Sequence, residues 1–292
     1  MKIGVQLPEV ERVVGWPELA RMARLIESLG FDSIWVGDHL LYDEEDDRRG
    51  PWEAWTQLAA VAAVTERVEL GPLVAALPFH NPAVLAKQAA TVDEISGGRL
   101  ILGVGAGWNE TEFLGFGLPY RRRVDRFAEE FEILRRLLVG ERFDFAGEFY
   151  QLEGAELMPP PRPGGPPLMI GSNGKRMLSI ALPHVPMWNS WYRDFGNDPD
   201  RLAGLLGRID LACEQVDRDP VTVERTVALL LKFDRDARRR SPDEPTTGSP
   251  AQMAEVLDRV EELGVAHVQL VLDPITEETI ERAAQVKAIL EG

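Results

Sequence analysis

Short runs of apolar residues alternate along the chain with longer stretches in which apolar positions recur every three or four residues. The short runs are Lys2–Leu7, Ser33–Gly37, Val68–Val74, Leu100–Val104, Leu168–Gly171, Val185–Trp188, Thr226–Leu231 and His267–Leu272. Most lack the apolar/polar alternation of a strand with one wet face, so they read as strands buried on both sides of a parallel sheet. The amphipathic stretches between them are Trp16–Leu29, Trp52–Thr65, Pro82–Ile95, Arg123–Leu138, Lys175–Leu182, Pro199–Val216, Ala251–Leu263 and Glu277–Leu290. Eight strands each followed by a helix predict an α/β fold, a (β/α)8 TIM barrel, with residues 1–292 as one such domain. Gly30 and Gly264 stand where helices stop, and Ser249-Pro250 reads as a cap followed by a first-turn proline.

Three segments exceed a plain barrel and are expected as insertions at its C-terminal face: Tyr42–Pro51, residues 141–167 and residues 233–247. In the second, Phe143, Phe145, Phe149 and Tyr150 flank Ala146-Gly147, the pattern of a small hairpin, before a proline-rich run over Pro159–Pro167. The third is a run of alternating charge, expected as a mobile surface loop.

Composition narrows the function. A formal charge of −16 repels phosphate backbones and anionic lipid, so neither nucleic acid nor a membrane is expected as a partner. The single cysteine, Cys213, forms no internal disulfide and points to a reducing, cytoplasmic setting. The apolar N-terminal stretch is broken by Pro8, Glu9 and Glu11, which does not read as an export signal. The four histidines, at 39, 80, 184 and 267, have no metal-ligand spacing, so no metal is expected.

Barrel enzymes carry their chemistry just beyond the strand ends. There Asp38-His39 closes an apolar strand and could contact a heteroaromatic cofactor or move a proton, or could be no more than a cap with a histidine beside it. Gly171-Ser172-Asn173-Gly174-Lys175-Arg176 joins a strand to a helix, where backbone N–H groups and a cation could hold a phosphate, or where an ordinary turn could lie. Gly103, Gly105 and Gly107 lack the spacing of a dinucleotide fingerprint and read instead as glycines that let a flat ring lie against backbone. Trp52, His80, Trp108 and Trp188 converge near the mouth as candidates for an apolar substrate pocket.

The stretches Gly30–His39, Leu70–Ala86, Asp93–Asn109 and Gly171–Leu178 resemble the luciferase-like monooxygenase superfamily over nearly the whole chain. That resemblance implies a barrel binding deazaflavin coenzyme F420 or, as the alternative, FMN. It implies cofactor contacts from Asp38, Leu73, Val74, Gly105, Ala106, Gly107, Asn109 and Gly171–Arg176, with His39 and Asp38 at the hydride-transfer site. Leu73-Val74 matches a bulge where many members hold a cis peptide. Sugar-phosphate dehydrogenases of this superfamily place an acid after the fourth strand; Trp108 stands at the matching position, with Glu110 nearby. The chain is therefore expected to be an oxidoreductase exchanging hydride between F420 and a small organic molecule. The alternatives are an FMN-dependent monooxygenase served by a separate reductase, or a cofactor-binding protein without catalysis. Similar proteins are often homodimers.

Overall fold

The computed structural model describes residues 1–44, 47–233 and 245–292. Eight strands form the barrel: β1 (Lys2–Gln6), β2 (Ser33–Val36), β3 (Glu69–Pro72), β4 (Leu102–Gly105), β5 (Leu168–Gly171), β6 (Met187–Ser190), β7 (Glu224–Lys232) and β8 (Val265–Leu272). All pair in parallel in the order β3-β2-β1-β8-β7-β6-β5-β4. Leu70 bridges Leu100, and Ala75–Ala76, the continuation of β3, pairs with Val104 and Gly105, so the two ends of the series meet. Around the strands run α1 (Trp16–Ser28), α2 (Ala54–Val64), α3 (Pro82–Ser96), α4 (Arg123–Leu138), α5 (Lys175–Ala181), α6 (Pro199–Glu214), α7 (Pro250–Glu262) and α8 (Glu277–Glu291). Among the described residues no helix is long and apolar enough to cross a membrane.

Local chemistry explains where the elements fall. β6 starts two residues later than the apolar run suggests, because Pro186 has no N–H for the ladder and only its carbonyl pairs, accepting from Glu224 N. α2 starts at Ala54 rather than Trp52, because the Glu53 carboxylate accepts from Trp55 N and Thr56 N and so caps the helix. The Ser96–Leu100 motif is a lock between helices: Gly97 and Gly98 turn the chain through positive φ, and the Arg99 guanidinium donates to Ser96 O, Thr65 Oγ1, Thr65 O, Val68 O and Ala62 O. β3 is expected as one run over Val68–Val74 but breaks after Pro72, and the Leu73–Val74 peptide is cis.

The insertions differ in kind. Tyr42–Glu44 and Asp47–Arg49 pair as an antiparallel hairpin between β2 and α2, an element the hydropathy pattern does not show. The expected hairpin pairs Phe143–Ala146 with Gln151–Ala155. It leaves from the far end of α4 and turns back along that helix, where Glu129 accepts from the N–H groups of Glu148, Phe149 and Tyr150. Of the expected loop over 233–247, residues 234–244 lie outside the described residues. Its flanks are structured: Phe233 is buried, and Thr246–Thr247 pairs with the end of β7.

Candidate active site

β2 delivers Asp38 and His39 to the mouth of the barrel, and each is held by a different partner. Asp38 is buried and accepts from Ala76 N at 2.9 Å and from His80 Nε2 at 2.8 Å, which ties the end of β2 to the turn after β3. His39 is fixed through Nδ1, 2.9 Å from Glu112 Oε1. Glu112 is wholly buried and also accepts from Leu40 N at 2.9 Å and Asn109 Nδ2 at 2.7 Å. Three hydrogen bonds converge on this one carboxylate, which fixes the imidazole so that Nε2 is left for other work. On that side stands Glu9, its Oε1 3.7 Å from His39 Nε2 and its Oε2 accepting from Gln6 Nε2 at 2.8 Å.

Burial sets the electrostatics. It pushes Glu9 up to about 7, although the facing His39 pulls the other way. For His39 burial disfavours the cation, but Glu9 and Glu112 outweigh it and the ring titrates above its ordinary value. His80 is raised in the same way, burial being outweighed by Asp38. Glu9, at about 7, and His39, raised above its ordinary value, thus face one another at the strand ends, an arrangement suited to moving a proton. Gly37 makes the arrangement possible, since a Cβ there would lie 2.3 Å from the Glu9 carboxylate.

The wall across β3, β4 and β5 is built differently. Cβ atoms at Gly103, Gly105 or Gly171 would come within about 3 Å of the Val74 methyl groups, at 2.7, 3.0 and 2.8 Å. The glycines therefore let Val74 sink into the wall and leave a surface of backbone and small apolar groups. Such a surface suits a flat polycyclic ring. Ala106 is buried beside it, and Gly107, at φ 69°, turns the chain away.

Other expected residues sit as follows. Asn109 donates to Leu41 O and to Glu112, so it is engaged in positioning that acid. At the end of β5, Ser172 Oγ accepts from Gly174 N and Asn173 Nδ2 donates to Ser190 Oγ, while Asn173 Oδ1 is buried without a partner. Arg176, itself exposed, is ion-paired with Asp125, and Lys175 is exposed beside it in the same turn. The pocket tryptophans do not converge. Trp108, 57% exposed, stands 6.0 Å from the His39 ring with Tyr42 beside both. Trp52, 58% exposed, sits outside α2 and bonds Val14 O. Trp188 is enclosed in the core, its indole N–H held by Ser172 O, so it backs the wall instead of lining the mouth.

Of the site residues, Glu112 is absent from the sequence reading, and Glu9 enters it only as a residue that follows the first strand. Glu112 was legible as the glutamate three residues after Asn109, the cap of the short helix Glu110–Gly115; the acid sits two positions beyond Glu110, which is exposed. Glu9 was legible only as a carboxylate directly after a buried strand.

The model of the luciferase-like monooxygenases matches residues 1–242. The chain belongs to that family. Among luciferase-like relatives, an F420-dependent glucose-6-phosphate dehydrogenase of Rhodococcus erythropolis is 37% identical over 255 residues, covering 84% of this chain and 74% of that protein. A 5,10-methylenetetrahydromethanopterin reductase of Archaeoglobus fulgidus is 34% identical over 183 residues, 62% of this chain, and the match spans half the length of that reductase. In fold, the chain is similar to an F420-dependent secondary alcohol dehydrogenase solved with an F420–acetone adduct, at a TM-score of 0.84, 20% identity and coverage of 99% of this chain and 98% of that one.

Proposed function

We propose that this luciferase-like protein is an oxidoreductase that uses coenzyme F420 to exchange a hydride with a small organic substrate. The observation that carries the reading is His39, pinned through Nδ1 by the buried Glu112 with Nε2 directed toward Glu9. The relatives named for F420-dependent reactions support the choice of cofactor. When bound, F420 supplies a carbon that gives or takes a hydride.

The chain's own residues do the rest. The backbone wall of Gly103, Gly105 and Gly171, with Val74 sunk into it, would receive the ring; Ser172–Lys175 would face its phosphate. His39 Nε2 takes the proton from a substrate hydroxyl on oxidation, or returns it to a carbonyl oxygen on reduction. Glu112 holds the resulting imidazolium in place, and Glu9, poised near neutrality, passes the proton onward. Asp38 anchors His80 and Ala76, keeping the end of β2 registered against the cofactor wall. A reducing, cytoplasmic setting accords with the lone, buried Cys213.

The test is to follow F420 absorbance on mixing the protein with panels of alcohols and of carbonyl compounds. Turnover with one panel, abolished in His39→Ala while F420 still binds, is the expected result. F420 binding without hydride exchange across both panels, or full turnover in His39→Ala, would overturn the reading.

A further inference from the structure

The half of the mouth opposite the glycine wall is polar, and its polar atoms are incompletely paired. On β6, β7 and β8, Asn189 Nδ2 donates to Thr226 Oγ1 and to Gln269 Oε1, which places all three side chains inside the barrel. Side chains alternate along a strand, so Lys232, six residues after Thr226, and Asp273, four after Gln269, share the inward face and stand three and two inward positions nearer the mouth. The ladder continues to this level, with Asp273 N donating to Leu231 O.

Both side chains are about nine-tenths buried, and Lys232 Nζ lies 3.8 Å from Asp273 Oδ2. That is too long for a hydrogen bond. Asp273 Oδ2 is buried without a hydrogen-bond partner, its contact with Lys232 Nζ being an ion pair only. Two further buried atoms on the same arc are unpaired, Gln269 Nε2 and, on β1, Gln6 Oε1. Buried polar atoms without partners are rare and costly, and here donors and acceptors alternate along one side of the barrel.

We propose, on the oxidoreductase reading above, that Lys232 and Asp273 form a substrate subsite selecting uncharged, hydroxyl-bearing molecules over anionic ones. A hydroxyl group can accept from the ammonium and donate to the carboxylate at once, spanning the 3.8 Å gap. A carboxylate or phosphate could use only the ammonium and would face Asp273 with like charge. The subsite lies across the barrel from the β3–β5 wall, so it grips the end of the substrate remote from the ring.

The test uses the full chain without cofactor and three probes sharing one ring: trans-cyclohexane-1,2-diol, cyclohexanecarboxylate and cyclohexane, with binding read by saturation-transfer NMR. The wild type is expected to favour the diol over the carboxylate by about tenfold or more, as for one charge-assisted hydrogen bond. Asp273→Asn frees the Lys232 charge and is expected to reverse that preference. Lys232→Met is expected to weaken the diol without gain for the carboxylate. Circular dichroism verifies folding, and Lys232→Gln replaces Lys232→Met should the latter not fold. Carboxylate binding at least equal to the diol in the wild type, absence of probe binding, or an unreversed preference in folded Asp273→Asn would overturn the proposal. Because the probes are read without F420, an F420 titration of the same samples judges the oxidoreductase reading separately.

Discussion

The two sides of the barrel mouth are made from opposite materials. Across β3, β4 and β5 the inward positions are Val74 and three glycines, packed so closely that an added methyl group would collide. Across β1, β8, β7 and β6 they are Gln6, Gln269, Asp273, Lys232, Thr226 and Asn189, buried and only partly hydrogen-bonded to one another. A wall of backbone offers shape and excludes specific polar recognition; a wall of unsatisfied polar atoms offers recognition and is completed by a ligand. His39 stands at the end of β2, between the two, with one ring nitrogen fixed and the other facing Glu9. On the proposed function, a flat cofactor would take the first side, a hydroxylated substrate the second and the proton the seam.

The largest effect is expected at the seam. His39→Ala should lower turnover by about 10²- to 10⁴-fold, the usual worth of a general acid/base, with F420 affinity little changed in a fluorescence titration. Equal losses in both would place His39 on the cofactor side and blur the division. A second effect concerns Glu9, whose pKa rises from 4.5 to about 7 on folding. A carboxyl raised in this way gives its full contribution to stability below pH 4.5 and loses it as pH climbs through 7, a loss of about 3 kcal/mol. Urea melts of Glu9→Gln should therefore show a flatter decline between pH 4.5 and 7 than the parent; parallel curves would mean that Glu9 is solvated.

On the glycine wall, Gly171→Ala should cost about 1–3 kcal/mol by overpacking Val74, and Val74→Ala in the same chain should restore most of it. Thermal melts of the two single variants and the double variant check this; additive losses would show that the two positions do not touch. The smallest effect is expected outside both walls. Trp52→Ala should change stability by about 1 kcal/mol or less, its one hydrogen bond to Val14 O being partly exposed, and should leave turnover unchanged. A large loss of turnover would bring Trp52 back into the pocket.

The barrel itself was legible because strands buried on both faces read as continuous apolar runs, and helix bounds such as Arg123–Leu138 and the start of α3 at Pro82 follow from amphipathic period and proline. The glycines of the β3–β5 wall were legible as glycines, and Asp38-His39 as a polar pair closing a strand. What escaped were residues whose role depends on a distant contact. Glu112 matters because the chain returns to His39 after 73 positions, and Trp188 is buried because its indole N–H meets Ser172 O. Lys232 and Asp273 each end a different apolar strand, and only the pairing of β7 with β8 brings them together. Trp52 and Trp188 miss the mouth for the same reason: tryptophan positions along a chain carry no information about which way the rings face.

The most direct measurement is a fluorescence or calorimetric titration of the cofactor-free protein with F420 and with FMN, each oxidised and reduced. Saturable binding of F420 with FMN bound far more weakly is the expected result. Selective binding of FMN would contradict the hydride-transfer account and make the chain an oxygenase candidate.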